Sequence, residues 1–177
     1  AQAGDRETAA KLLTTFIDGY PRDPRICEAL TLRGDMYAKT KKETEALQDF
    51  DRVIARWPKE ESAAAAWQRA AQIYAGRQDL ANMAKYYEGL IKNFPKTSPA
   101  ALAEAHFLLG RAAFDQGDFQ SSISHMSEAK TLDPQKYGEQ VNVLTVLSYH
   151  KLQDVNKLKE ALETLQKENP AAVSRVP

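Results

Sequence analysis

The side chains in this sequence that could carry chemistry are few and scattered. Histidine occurs at His106, His125 and His150, and no two are three or four residues apart. No single helix face therefore presents a histidine pair to a metal. Cys27 is the one cysteine and has neither a histidine nor a second thiol near it in sequence. It reads as a buried or rim thiol rather than a nucleophile, and with no internal disulfide available it leaves the redox compartment open. The adjacent carboxylates Glu60 and Glu61 read as charges favoured at a helix start. Lys39, Lys41 and Lys42 form a basic cluster, but Glu43 and Glu45 follow directly, which suits a solvated turn better than an anion site. No glycine-rich phosphate loop and no Gly-x-Ser-x-Gly elbow occurs. The expectation is a chain without catalysis, cofactor or metal.

Composition narrows the classes further. The 24 Lys and Arg balance 24 Asp and Glu, so no net field favours the phosphate contacts on which nucleic-acid affinity rests. With 43% hydrophobic and 27% charged residues over 177 positions, the chain suits one globular domain. No apolar run is long enough to span a bilayer, so direct membrane insertion by this segment is not expected. The opening Ala-Gln-Ala suits a mature end after signal cleavage as well as it suits an arbitrary boundary.

The elements that must position these residues are helices. Tyr20-Pro21, Trp57-Pro58, Phe94-Pro95, Asp133-Pro134 and Asn169-Pro170 recur at intervals of 37, 37, 39 and 36 residues. Proline cannot continue a helix and restrains its predecessor, so each pair is read as the end of a unit. Twenty-four residues before each of the last four prolines stand Gly34, Ala71, Gly110 and Val146, three of them small. Ala103 to Pro134 is the clearest unit. Leu109, Gly110, Ala113 and Phe114 lie at helical spacing in its first half and Ser122, Ile123, Met126 and Ala129 in its second, with Gly117-Asp118 between. Gly117 can end one helix in the left-handed conformation and Asp118 can cap the next. The same reading makes Thr40-x-x-Glu43 a capping box, Asp79 and Asp154 caps, and Asp23-Pro24 and Ser98-Pro99 helix starts.

This period, hairpin and punctuation closely resemble the tetratricopeptide repeat. The resemblance implies an all-α fold, a right-handed α-α superhelix of about nine helices, in which hairpins bury their apolar faces only against neighbours. It divides the single domain into a half repeat over 5–21, repeats over 24–58, 60–95, 98–134 and 137–170, and a frayed tail over 171–177, as expected for a fragment of a longer chain. Tyr20, Trp57 and Phe94, with Phe50, Tyr87 and Met126, are expected to fill the seams between repeats. His106 and Asn142 stand where the family often has tryptophan. His106 is accordingly expected in the core, and the helices of the last repeat are expected further apart.

The resemblance also implies a ligand-facing wall on the first helix of each repeat. Its candidate partner-binding residues here are Thr31, Asp35, Gln68, Arg69, Gln72, Phe107, Leu108, Arg111, Val143 and Leu147, so the wall turns from polar to apolar along the chain. Some family members clamp a chaperone's C-terminal carboxylate with lysine, asparagine and arginine. At those places this chain has Thr31, Asp35, Arg69, Glu104 and Leu108, and the two acids disfavour that mode. The expected function is a non-enzymatic scaffold that holds a partner protein or peptide in its groove. The alternative is a spacer or self-association segment of a larger multi-repeat protein. The Tyr/Trp/Phe-Pro junctions resemble those of bacterial cell-envelope members, namely outer-membrane assembly lipoproteins and Tol-Pal-associated periplasmic factors, which implies a periplasmic setting; similar wording occurs in cytoplasmic members.

Overall fold

The computed structural model describes residues 3–176 of the chain, which divides into two compact units, Ala1–Pro95 and Lys96–Pro177. Among the described residues there are nine α-helices, a final 3-10 helix and no strand. The all-α expectation and the helix number therefore hold.

The first unit contains α1 (Ala3–Gly19), α2 (Ile26–Lys39), α3 (Glu43–Arg56), α4 (Glu61–Gly76) and α5 (Leu80–Asn93). Each helix packs on the next, and α2 also lies against α4. Helices α2 and α3 form hairpin one, and α4 and α5 form hairpin two. Their core is Leu30, Ala46, Phe50 and Val53 in the former and Ala70, Ala71, Tyr87 and Leu90 in the latter, all fully buried. The small residues explain the close approach. A methyl group on Gly34 would lie 2.6 Å from the Phe50 ring, and one on Gly89 would lie 2.5 Å from the ring of Trp67. The axes are thus spaced for glycine, with a large side chain seated in each gap.

The second unit contains α6 (Pro99–Asp115), α7 (Phe119–Leu132), α8 (Pro134–Leu152), α9 (Val155–Glu168) and the 3-10 helix Pro170–Arg175. Hairpin three is α6 with α7, and hairpin four is α8 with α9; α6 also touches α8. One cluster joins Ala103, Met126, Ala129, Tyr137 and Val141 across α6, α7 and α8. A second joins Val146, Leu165 and Ala172.

Several sequence expectations are corrected. The tail does not fray over the described residues: 170–175 form the 3-10 helix, and Ala172 is buried against Val146 and Leu165. Pro177 lies outside the described residues. Pro134 does not merely follow a unit; it is the first residue of α8, and the Asp133 carboxylate accepts the Lys136 N–H. Thr40 does not cap α3. Its hydroxyl donates back to the carbonyls of Met36 and Tyr37, and α3 starts after Lys42. Helix α2 starts two residues beyond Pro24, because Asp23 accepts the Arg25 N–H and also grips its guanidinium; this pulls the Asp23 pKa down to about 2. Tyr20, expected in a seam, is 63% exposed. The caps at Asp79, Asp118 and Asp154 are as expected, each side chain accepting the N–H three residues on.

The turns show a regularity the sequence hid. Gly117 has φ +83°, as its residue type suggests, but Lys41, Gln78 and Gln153 occupy the corresponding corners at φ 63°, 59° and 57°. The bend is imposed by packing of the helices it joins, since these side chains do not favour it.

Candidate functional site

Within each unit the first helices of successive hairpins lie side by side, α2 with α4 and α6 with α8. This forms a wall in each, and the candidate contact residues can be placed on it one by one.

On the first unit's wall, Asp35 and Arg69 meet across α2 and α4 with Nε 3.1 Å from the carboxylate. The Arg69 guanidinium also reaches the Gln72 side chain at 3.4 Å. Gln68 sits half-buried beside them. Thr31, by contrast, is drawn inward, its hydroxyl donating to the Cys27 carbonyl at 3.0 Å. Leu32, one residue on, is instead the exposed apolar group of α2, at 45%. The outward chemistry of this wall is one tethered cation and one leucine, set among amides.

On the second unit's wall, Arg111 is exposed and Leu108 and Leu147 are half-exposed. Phe107 is committed inward: its ring stacks on Tyr137 with centroids 4.7 Å apart, against the Ala103–Met126 cluster. Val143 likewise packs on the Val146–Leu165–Ala172 cluster. The family resemblance put these two on the ligand-facing wall, but their bulk is used to close the unit.

The polar interior is partly occupied by ion pairs. Arg33 forms a two-pronged bond to Asp49, at 2.8 and 2.7 Å, and donates a third bond to Thr14 on α1. In hairpin two, Tyr86 donates to Asp51 on α3; burial first, and then that carboxylate, push its pKa up. In the last hairpin Asn142 is buried and bonded to Lys130, Glu168 and Asn169. Cys27 is buried, and loss of hydration raises its pKa, away from the thiolate a nucleophile needs.

The histidines are where sequence reasoning missed a contact. His106 and His125 come from α6 and α7 and meet with their Nδ1 atoms 3.0 Å apart, one donating and the other accepting. Burial, and then the proximity of His125, lower the His106 pKa. Their separation of 19 residues equals that of Trp67 and Tyr86, whose rings also touch. That recurrence across the hairpin was readable from the repeat register, although not from spacing within a helix. Among the described residues no group of three histidine, cysteine or acidic side chains is placed to hold a metal. No helix among them is long and apolar enough to cross a membrane.

Models of the tetratricopeptide repeat match residues 1–61, 65–97 and 103–136. The chain belongs to the tetratricopeptide-repeat family. Solved structures with the same solenoid fold include MamA AMB-1, at 18% identity over 99% of this chain and 90% of that one, with a TM-score of 0.70. A tetratricopeptide repeat protein from Parabacteroides merdae matches at 15% identity over 94% of this chain and 61% of that one, TM-score 0.70. BtubC from P. vanneervenii matches at 13% identity over 98% and 77%, TM-score 0.66. At these identities the likeness speaks for the fold alone. No curated protein sequence matches the chain. As a tetratricopeptide-repeat protein it has the architecture of a protein-interaction module, and its first-helix walls are where the family's geometry leaves side chains outward.

Proposed function

We propose that this tetratricopeptide-repeat chain is a non-enzymatic scaffold that holds a partner protein or peptide on its first-helix walls. The observation that supports this most is the division of labour on those helices. Apolar bulk is spent inward, as with Phe107 and Val143, while Leu32, Arg69, Leu108, Arg111 and Leu147 stay at least partly open to solvent. An Arg held by Asp35 beside exposed leucine suits a partner with both an acidic and an apolar contact, because the guanidinium is already oriented. The likeness of the aromatic-proline junctions supports a place among cell-envelope assembly factors.

The test is site-specific crosslinking. A photo-reactive phenylalanine at Leu108 or Arg69 should trap one discrete partner in cells, whereas the same group at Ser124 on α7 should not. Equal trapping from both places would defeat the wall assignment. Leu108→Glu with Leu147→Glu should keep helicity and abolish that crosslink.

The second reading, a self-association segment, draws on Leu152 and Val155, which flank the α8–α9 turn at 41% and 74% exposure. It requires a dimer in light scattering that Val155→Lys converts to monomer. A concentration-independent monomer removes it.

A further inference from the structure

In hairpin two, three aromatic side chains close the space over α4. Trp67 and Tyr86 have ring centroids 5.3 Å apart, Tyr86 stacks on Tyr74 at 5.3 Å and 26°, and the Tyr86 hydroxyl donates to Asp51 on α3. Positions 67, 74 and 86 recur 75 residues later, in hairpin four, as Asn142, Tyr149 and Ala161. Asp51, seven residues before Pro58, corresponds to Ser127, seven before Pro134. The tyrosine wall is kept, but alanine stands where hairpin two has its facing ring, and the Lys157 ammonium lies over Tyr149, 5.7 Å from the ring centroid.

What remains is a cleft of about 290 Å³ between α7, α8 and α9, with Tyr149 as one wall, Ala161 and Thr164 on another, Lys157 also lining it, and Ser127 at the rim. Its floor is fixed. Asn142 is buried with both ends of its amide bonded, and Lys130 is shared between Asn142 and Glu168 at 2.8 and 2.7 Å. The vacant volume is therefore the Tyr86 equivalent and not that of Trp67.

We propose that this cleft receives a tyrosine side chain from a partner protein, its ring laid against Tyr149 and its hydroxyl turned toward Ser127. The choice of occupant is taken from hairpin two, which fills the equivalent slot with its own Tyr86, where hairpins one and three have Asp49 and His125. An apolar body with a polar tip matches a slot with an aromatic wall and a hydroxyl at the rim. Because Asn142, Thr145 and Tyr149 lie on a different face of α8 from Val143 and Leu147, occupancy here is independent of the first-helix wall.

Backbone amide NMR of the full chain tests this with three probes: the blocked tripeptide acetyl-Gly-Tyr-Gly-amide, its leucine counterpart, and p-cresol. The tyrosine peptide should shift the amides of Ser127, Tyr149 and Thr164 saturably, and the leucine peptide should bind about tenfold more weakly or worse. Ala161→Tyr, which supplies the ring internally, should fold and lose the shifts; Thr164→Lys, which blocks the rim from α9, should lose them too. Equal binding of the leucine peptide, undiminished binding by both variants, or no shifts with any probe overturns the proposal. Binding of p-cresol without the peptide also overturns it, in favour of a free small phenol. Loss of the Leu108 crosslink in a protein that still binds the tyrosine peptide would fault the wall alone.

Discussion

Replacing Gly34 by alanine tests whether the hairpins are spaced by glycine. The added carbon would lie 2.6, 2.9 and 3.0 Å from three atoms of the Phe50 ring, where carbon contacts settle at roughly 3.5–4.0 Å. Phe50 is fully buried, so the ring must move by the better part of an ångström against close-packed neighbours. Overpacking of this kind costs about 1–3 kcal/mol, while alanine in a helix interior gains about 1 kcal/mol over glycine. The expected net loss is about 1 kcal/mol. Gly76, at the end of α4 in the same unit, has nothing within 4 Å of the equivalent carbon, so Gly76→Ala should be neutral or slightly stabilising. Urea unfolding followed by tryptophan fluorescence reads both, because Trp57 and Trp67 lie in the first unit. The two midpoints should differ by roughly half a molar or more, given slopes of about 1–3 kcal/mol per molar. Phe50→Leu should erase much of the Gly34→Ala penalty. If Gly34→Ala matches Gly76→Ala, the close approach of α2 and α3 is wrong.

Other outcomes follow from the same contacts. Asp49→Ala leaves the largely buried Arg33 without its two-pronged partner and should destabilise the first unit by about 3 kcal/mol in urea, whereas Glu43→Ala, which breaks an exposed pair with Arg77, should be undetectable. The His106–His125 pair should make the second unit acid-sensitive. The His106 pKa is depressed by burial and then by His125, with Glu128 opposing, so the unfolded chain takes up protons first as pH falls below about 6.5. Stability should be full above that pH and decline as pH drops through the lower folded-state value; hydrogen exchange of α6 and α7 at pH 7.5 and 5.5 reads this, and a gain on acidification would refute it. Ser148→Ala should raise stability by about 1 kcal/mol in thermal unfolding, since the buried hydroxyl has no hydrogen-bond partner among the described residues. Gln153→Gly should stabilise the α8–α9 turn by up to about 1 kcal/mol, because glycine accepts φ 57° without strain.

The helices were legible because proline, glycine and apolar period all pointed the same way at Gly34, Gly110 and the five junctions. Helix starts were less so: Thr40 can serve the helix behind it as readily as the one ahead, and sequence order does not say which. The wall was half legible. Family register put Asp35 and Arg69 on neighbouring first helices without pairing them, and helical phase cannot tell that they meet, that Phe107 finds Tyr137 or that Val143 packs on the Val146–Leu165–Ala172 cluster. Cross-hairpin partners such as His106 and His125 depend on register between two helices, which emerges only when the repeats are laid over one another.

The four left-handed corners have a practical meaning. Lys41, Gln78, Gly117 and Gln153 share a backbone path although their side chains range from a cation through two amides to none at all. Such corners are open addresses on a fixed street plan. A reporter group, an affinity handle or a new charge can be written there while the helices on either side keep their course, and natural variation is free to use the same sites.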